Sequence, residues 1–225
     1  MHAGYGYKRS KMVVISNGYS FEFFKPDDAA SATFREELDV GPDEPLLGMV
    51  GRFNIQKNHR GLLDALVLLK SRGCTARCVL VGTDINKSNE SLLGWIKELG
   101  IEGQIILLDQ RTDIPAVMSG LDIHLLTSSF GEGFPNVVAE AMACGTPCIC
   151  TDVGDSRHII GDTGCVVPIN DPVALARAIE AAICEYKTKP EAWQMRREAS
   201  IARIRDRYSL KRMIRAYQST WEAVS

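Results

Sequence analysis

The chain predicts an α/β fold built on a doubly wound, Rossmann-like parallel sheet, and three observations carry that expectation. Short apolar or β-branched runs alternate with stretches of helical period, one run (Leu46 to Gly51) is apolar throughout as in a sheet covered on both faces, and Gly, Asn and Pro stand at the joints. Repeated over about 160 residues, this βαβαβα order implies parallel strands between two helical layers, with ligand sites beyond the strand carboxyl ends at a topological switch point.

Taken in order, Met12 to Ser16 is a β-branched run that predicts a strand, closed by a tight turn at Asn17-Gly18 and followed by an aromatic-rich loop from Tyr19 to Pro26. Asp28 to Leu38 has helical composition and is ended by Gly41-Pro42. After the Leu46 to Gly51 strand, Asn58 is a good N-cap for a helix carrying Leu62, Leu63, Leu66 and Leu69, stopped by Gly73. Arg77 to Gly82 predicts the next strand, about Asn89 to Leu99 a helix stopped by Gly100, and Gln104 to Leu108 a further strand. Asp109 to Asp113 is a polar loop before a short helix starting at Ile114-Pro115, which Asp113 is placed to cap. Asp122 to Thr127 and Pro147 to Thr151 are buried-strand patterns on either side of one crossover helix, which Pro135 starts and Gly145 ends. Asp152 to Asp155 is a turn, a short helical piece runs through Ile160, and Cys165 to Pro168 is a last strand, at an edge because of Pro168. From Asp171 onward the chain is helical: Pro172 to Tyr186, Pro190 to Asp206 and Ser209 to Val224. One domain over 1–225 is expected, with its core over about 12–186 and its terminal helices over about 190–224.

Composition narrows the function classes. Of 225 residues, 45% are hydrophobic and 24% charged, as in an ordinary soluble globular protein, and the net charge of −2 gives no electrostatic case for nucleic acid. No apolar run approaches the roughly 20 residues of a membrane span, and MHAGYGYKRSK has no signal-peptide core, so a cytoplasmic chain is expected. The seven cysteines fall on predicted strands and helices. Cys144, Cys148 and Cys150 lack a histidine at zinc-like spacing and read as small buried hydrophobes in a reducing compartment. The terminal helix carries Lys211, Arg212 and Arg215 beside an apolar stripe of Met213, Ile214, Tyr217 and Trp221. It reads as a helix packed on the domain with a solvated basic face, and peripheral contact with acidic lipid at the inner face of a membrane is the sharper alternative.

The candidate site is the stretch from Ser128 to Gly154. A helix starting at Pro135 presents unsatisfied N–H groups and a positive dipole end, which attract phosphate. Glu132 stands just ahead of it, and Glu140 lies about 7 Å along the axis, on a face shared with Asn136. Two carboxylates flanking an anion site fit a nucleotide diphosphate-sugar, with the sugar toward Glu132 and the ribose toward Glu140. Gly51-Arg52 leaves one strand end, and Lys57 closes the same loop. Arg52 thus offers a bidentate fork and Lys57 a point charge to the diphosphate.

Glu132-Gly133-Phe134-Pro135 and Glu140-Ala141-Met142-Ala143, with seven residues between the glutamates, resemble the Glu-x7-Glu motif of retaining glycosyltransferases of GT-B fold, the glycogen-synthase-like group called family 4. The resemblance implies that the chain is the C-terminal, nucleotide-sugar-binding half of a GT-B fold, opening at the strand-Asn-Gly pattern near residue 12. The N-terminal acceptor domain would then be missing from the chain, and the terminal helix would cross back to it. It further implies a nucleotide-diphosphate sugar as donor, UDP-sugar first, and transfer with retention to a glycan, lipid-linked or polysaccharide acceptor. No metal or other cofactor is expected, because Arg52 and Lys57 stabilise the leaving diphosphate. Among the implied donor contacts, Glu132, with the N–H groups of Gly133 and Phe134, holds the sugar. Gly51, Pro135, Asn136 and Val137 line the donor, Glu140 takes the ribose, and the backbone at Arg111 and Thr112 holds the base. Asp155 and His158 stand where family members often have a second Gly and a Glu, so no role is carried over to them.

Of three rivals, two lack their signatures and the third is serious. An NAD-type oxidoreductase would show Gly-x-Gly-x-x-Gly after a strand, which neither Val50-Gly51-Arg52 nor Val81-Gly82-Thr83 supplies. A glycoside hydrolase sets its two carboxylates across a bond with no phosphate donors between them. A non-catalytic nucleotide-sugar-binding module or fragment shares every feature of the site and differs only in turnover.

Overall fold

A computed structural model describes residues 12–223 together with Lys8 and Ser10. Val224, the predicted end of the last helix, lies outside them, as do most of the first eleven residues. Six parallel strands form one sheet: β1 (Leu46–Val50), β2 (Arg77–Val81), β3 (Ile105–Leu108), β4 (Ile123–Leu126), β5 (Cys148–Thr151) and β6 (Cys165–Val167), in the order β3-β2-β1-β4-β5-β6. Winding runs outward from β1 to β3, then returns to β4 beside β1 and runs outward the other way. β1 and β4 pair through Leu47–Ile123 and Gly48–His124, and the switch point is therefore the crevice beyond their carboxyl ends.

Alternate residues of each strand bury on opposite faces. Leu46 and Val50 of β1, Val79 and Val81 of β2, and Cys148 and Cys150 of β5 belong to one core, and Leu47, Met49, Cys78, Leu80 and Ile149 to the other. The first core is covered by α1 (Asp28–Glu37), α4 (Ile114–Gly120), α5 (Asn136–Ala143), α6 (Ser156–Ile160) and α8 (Pro190–Arg207). The second is covered by α2 (His59–Ser71), α3 (Glu90–Glu98) and α7 (Pro172–Thr188). The predicted Asn58 cap is in place, its Oδ1 accepting from Gly61 N–H, and Asn89 Oδ1 caps α3 in the same way by accepting from Leu92 N–H. Gly73, Gly100 and Gly145 each stand two residues past a helix end at positive φ, where a side chain would be strained. β6 is an edge strand, as Pro168 predicts.

Four expectations are corrected. Met12 to Ser16 forms no strand. Val13 and Val14 are exposed, and no strand among the described residues pairs with them, so β-branching alone does not make a sheet strand. α1 ends at Glu37, before Gly41-Pro42, because Asp39 takes the left-handed turn (φ 53°) and Val40 N–H reaches back to Arg35 C=O. Pro135 is the N-cap of α5 rather than its first helical residue. The terminal helix α9 (Leu210–Glu222) has no buried residue. It is joined to the domain at its start, where Leu210 N–H donates to Tyr19 C=O, and its apolar stripe faces outward, with Ile214 46% and Tyr217 43% exposed.

Candidate functional site

Two loops meet in the crevice between β1 and β4. The loop after β1 is fixed at its base, where Gly51 N–H donates to Val81 C=O (2.8 Å) and Phe53 N–H to Thr83 C=O (2.9 Å). It closes in a 3₁₀ turn, Ile55–Lys57. The loop after β4 is sewn to that turn: Thr127 Oγ1 donates to Lys57 C=O (2.8 Å) and Ser129 N–H to Gln56 C=O (2.9 Å). Register is thereby set between side chains 75 residues apart.

Lys57 Nζ stands 2.7 Å from Glu132 Oε1, with the two side chains 14% and 10% exposed. Ser128 Oγ (2.7 Å) and Gln56 Nε2 (3.3 Å) donate to the same oxygen. Glu132 Oε2 accepts nothing among the described residues and is the oxygen left for a ligand. Lys57 is thus bound to Glu132, whereas Arg52 is exposed and makes no ion pair among the described residues. An ammonium has three N–H donors, so Lys57 can hold Glu132 and still meet an anion.

Beside this pair lies the first turn of α5. Pro135 offers no capping side chain, and the N–H groups of Asn136 and Val137 meet no acceptor among the described residues. Those of Gly133 and Phe134 are likewise unengaged there, while Gly133 C=O accepts from Asp155 N–H (2.9 Å). The loop is fixed from behind by Gly154. At φ 56° it passes so close that a Cβ would collide with the carbonyl oxygens of Glu132 and Gly133. Farther along α5, Glu140 is half-buried, and burial pushes its carboxyl above the ordinary range. The charge of Glu140 and burial together raise the Tyr19 hydroxyl, burial being the larger cause. Asn136 Oδ1 accepts from Tyr19 Oη (2.6 Å) and Asn17 Nδ2 (2.8 Å).

At the end of β3, Arg111 is occupied. It forks onto Asp113 (2.8 and 2.7 Å), reaches Glu37 (2.6 Å) and lies over the Phe34 ring at 5.4 Å. These contacts hold the Asp113 carboxyl below its usual range, and they correct its expected role, since it gives α4 no capping bond. With Arg111 spoken for and Thr112 exposed, this loop offers a ligand chiefly its backbone. His158 is exposed, and its backbone carbonyl accepts from Arg203 (2.6 Å) and Tyr208 Oη (3.1 Å).

Sequence reasoning gave no role to five residues that build the site: Asn17, Tyr19, Gln56, Ser128 and Gly154. Asn17 and Gly154 had a local signal only as turn residues, and Ser128 and Gly154 only as the bounds of the candidate stretch. Sequence reasoning also missed His59 and His124, both buried without a hydrogen-bond partner among the described residues and driven neutral, to about 4 and about 3, by burial and then by the Lys57 charge. Cys144, Cys148 and Cys150 are buried free thiols, as expected. Among the described residues, no cluster of three or more His, Cys, Asp or Glu could hold a metal ion, and no helix is long and apolar enough to cross a membrane.

Comparison with known proteins places the chain in a family. The family model described as glycosyl transferases group 1 matches residues 30–200. The chain is 30% identical over 188 residues to D-inositol 3-phosphate glycosyltransferase of Corynebacterium glutamicum, covering 80% of this chain and 45% of that protein. It thus spans about half the length of such curated relatives. Its fold superposes on Anabaena Alr3699/HepE, solved in complex with UDP and glucose, with a TM-score of 0.83 at 24% identity, over 99% of this chain and 59% of that one. It also superposes on the C-terminal domain of the group 1 family protein LpcC from Francisella tularensis (TM-score 0.68, 21% identity), over 86% of this chain and 100% of that domain. The sheet is therefore the Rossmann-like sheet of a GT-B fold, and the chain belongs to the glycosyl transferases group 1 family.

Proposed function

We propose that this chain is the donor-binding half of a retaining glycosyltransferase, taking a sugar from a nucleotide-diphosphate sugar to a glycan, lipid-linked or polysaccharide acceptor. One observation carries the reading: the Lys57–Glu132 pair stands at the mouth beside the uncapped start of α5, with Glu140 farther along the same helix. Diphosphate belongs on the free N–H groups of Asn136 and Val137, within reach of Lys57 and Arg52. Glu132 Oε2 accepts from a sugar hydroxyl, while the N–H groups of Gly133 and Phe134 meet the ring. Glu140 accepts from the ribose, and the backbone at Arg111 and Thr112 takes the base. The Anabaena complex with UDP and glucose supports uridine as that base.

As the glycosidic C–O bond breaks, the diphosphate gains negative charge. Fixed cations and helix N–H groups then stabilise the transition state more than the ground state, without a metal. Glu132 precedes the helix tip that binds phosphate, which puts it on the leaving-group side of the anomeric carbon. It orients the sugar, then, and attack from that face retains configuration. The acceptor side of the site belongs to a second domain, as the 45% coverage of the C. glutamicum relative supports. Calorimetric titration of this chain with UDP-glucose, GDP-mannose and NAD, with EDTA present, tests the reading. Micromolar to millimolar binding of a nucleotide sugar, typical of substrates, is expected without transfer. Binding of none of them, or transfer by this chain alone, would count against it.

A further inference from the structure

Asn17 and Tyr19 lie 119 and 117 residues before Asn136, yet both hydrogen bonds they make to it end on one atom, Oδ1, at 2.8 and 2.6 Å. A carboxamide oxygen has two lone pairs, so these two donors fill it and turn the Nδ2 edge the other way. Nδ2 has no acceptor among the described residues, and it hangs at the start of α5 beside the unengaged N–H groups of Asn136 and Val137.

Resting on the donor-site reading, we propose that Tyr19 and Asn17 are positioning residues: they lock the Asn136 carboxamide so that Nδ2 becomes a further N–H donor to the bound nucleotide's diphosphate. Their own positions are set by the backbone. Tyr19 N–H donates to Tyr208 C=O (2.8 Å) and Tyr19 C=O accepts from Leu210 N–H (3.0 Å), which clamps the segment to the junction of α8 and α9. The Tyr19 ring is buried and stacks on Phe134 at 6.3 Å, and Phe134 meets Tyr208 edge-on at 5.4 Å. Tyr19 thus ties the Glu132-to-Asn136 loop to the terminal helices, and its hydroxyl sets the amide. Burial beside Glu140 keeps that hydroxyl protonated, and so a donor, at neutral pH.

Tyr19→Phe removes the hydroxyl and keeps the ring. Titrating UDP into wild type, Tyr19→Phe, Asn136→Ala and the double variant should show UDP weakened roughly three- to tenfold by Tyr19→Phe when Asn136 is present, and not further when it is absent. Asn17→Ala, at an exposed residue, should behave the same way with a smaller loss. A loss that is equal in both backgrounds, or absent from both, overturns the proposal. The amide is also read without ligand: the Asn136 side-chain 15N–1H pair should shift and broaden in Tyr19→Phe, and an unchanged pair overturns the proposal. Failure of wild type to bind UDP would strike the donor-site reading, and the amide spectrum still decides the positioning.

Discussion

Replacing Lys57 by Met removes the cation from a carboxylate that stays buried. The pair is close (2.7 Å), and its side chains are 14% and 10% exposed, so it lies between an exposed ion pair, contributing about 0–1 kcal/mol, and a fully buried one, whose breaking costs about 3–5 kcal/mol. Ser128 and Gln56 still donate to Glu132 Oε1 in the variant, which lowers the penalty. A loss of about 2–3 kcal/mol follows, and for a domain of this size that lowers Tm by roughly 4–12 °C. Most of the loss comes from the orphaned charge. Lys57→Met/Glu132→Gln should therefore be more stable than Lys57→Met alone, with a coupling of about 1–2 kcal/mol in urea unfolding. If the two substitutions add, or Lys57→Met melts with wild type, Glu132 does not depend on Lys57 and the preorganised mouth is refuted.

Glu140→Gln should weaken UDP by about 1.5–3 kcal/mol through the lost charged acceptor, yet raise Tm at pH 7. The folded-state pKa of Glu140 lies above the ordinary 4.5, so the folded protein holds this proton more tightly and loses stability as pH rises from 4.5 through the raised value. A lower Tm for Glu140→Gln at pH 7 would contradict this. His124 and His59 act in the opposite sense. Above pH 6.5 both states hold neutral imidazoles, and below it the unfolded chain takes protons that the fold refuses down to about 3 and about 4, costing up to about 1.4 kcal/mol per pH unit for each. His124→Leu should flatten the acid limb of a stability–pH curve, and an unchanged limb would show that His124 is not what titrates. Gly154→Ala meets two carbonyls at a left-handed φ and should cost about 1–3 kcal/mol while weakening UDP. Wild-type UDP affinity in that variant would remove Gly154 from the support of the loop.

The sheet was legible because its signals are local. Leu46 to Val50 is apolar on both faces, Asn58 caps α2 with its own side chain, and Gly145 ends α5 two residues past the last turn. Glu132, Glu140 and the start of α5 were legible for the same reason, all lying within nine residues. What failed depends on distant partners. Met12 to Ser16 has strand composition and pairs with no strand among the described residues, and the stripe of α9 has the period of a packed helix but faces outward. Asp113 has the composition of a cap, and a bidentate arginine two residues away outcompetes the helix for it. The Lys57–Glu132 pair and the Tyr19–Asn136 bond span 75 and 117 residues, and no spacing rule reaches that far.

The central claim is that the crevice between β1 and β4 holds a nucleotide-diphosphate sugar across these loops. An amide 15N–1H titration of the chain with UDP-glucose tests it most directly. Shifts should concentrate at 51–57, 111–113 and 132–140, with Asn136 and Val137 moving most as their free N–H groups gain phosphate, and α7 should stay silent. Saturating shifts confined to another face, or no shifts at millimolar ligand, would contradict the assignment of the donor site.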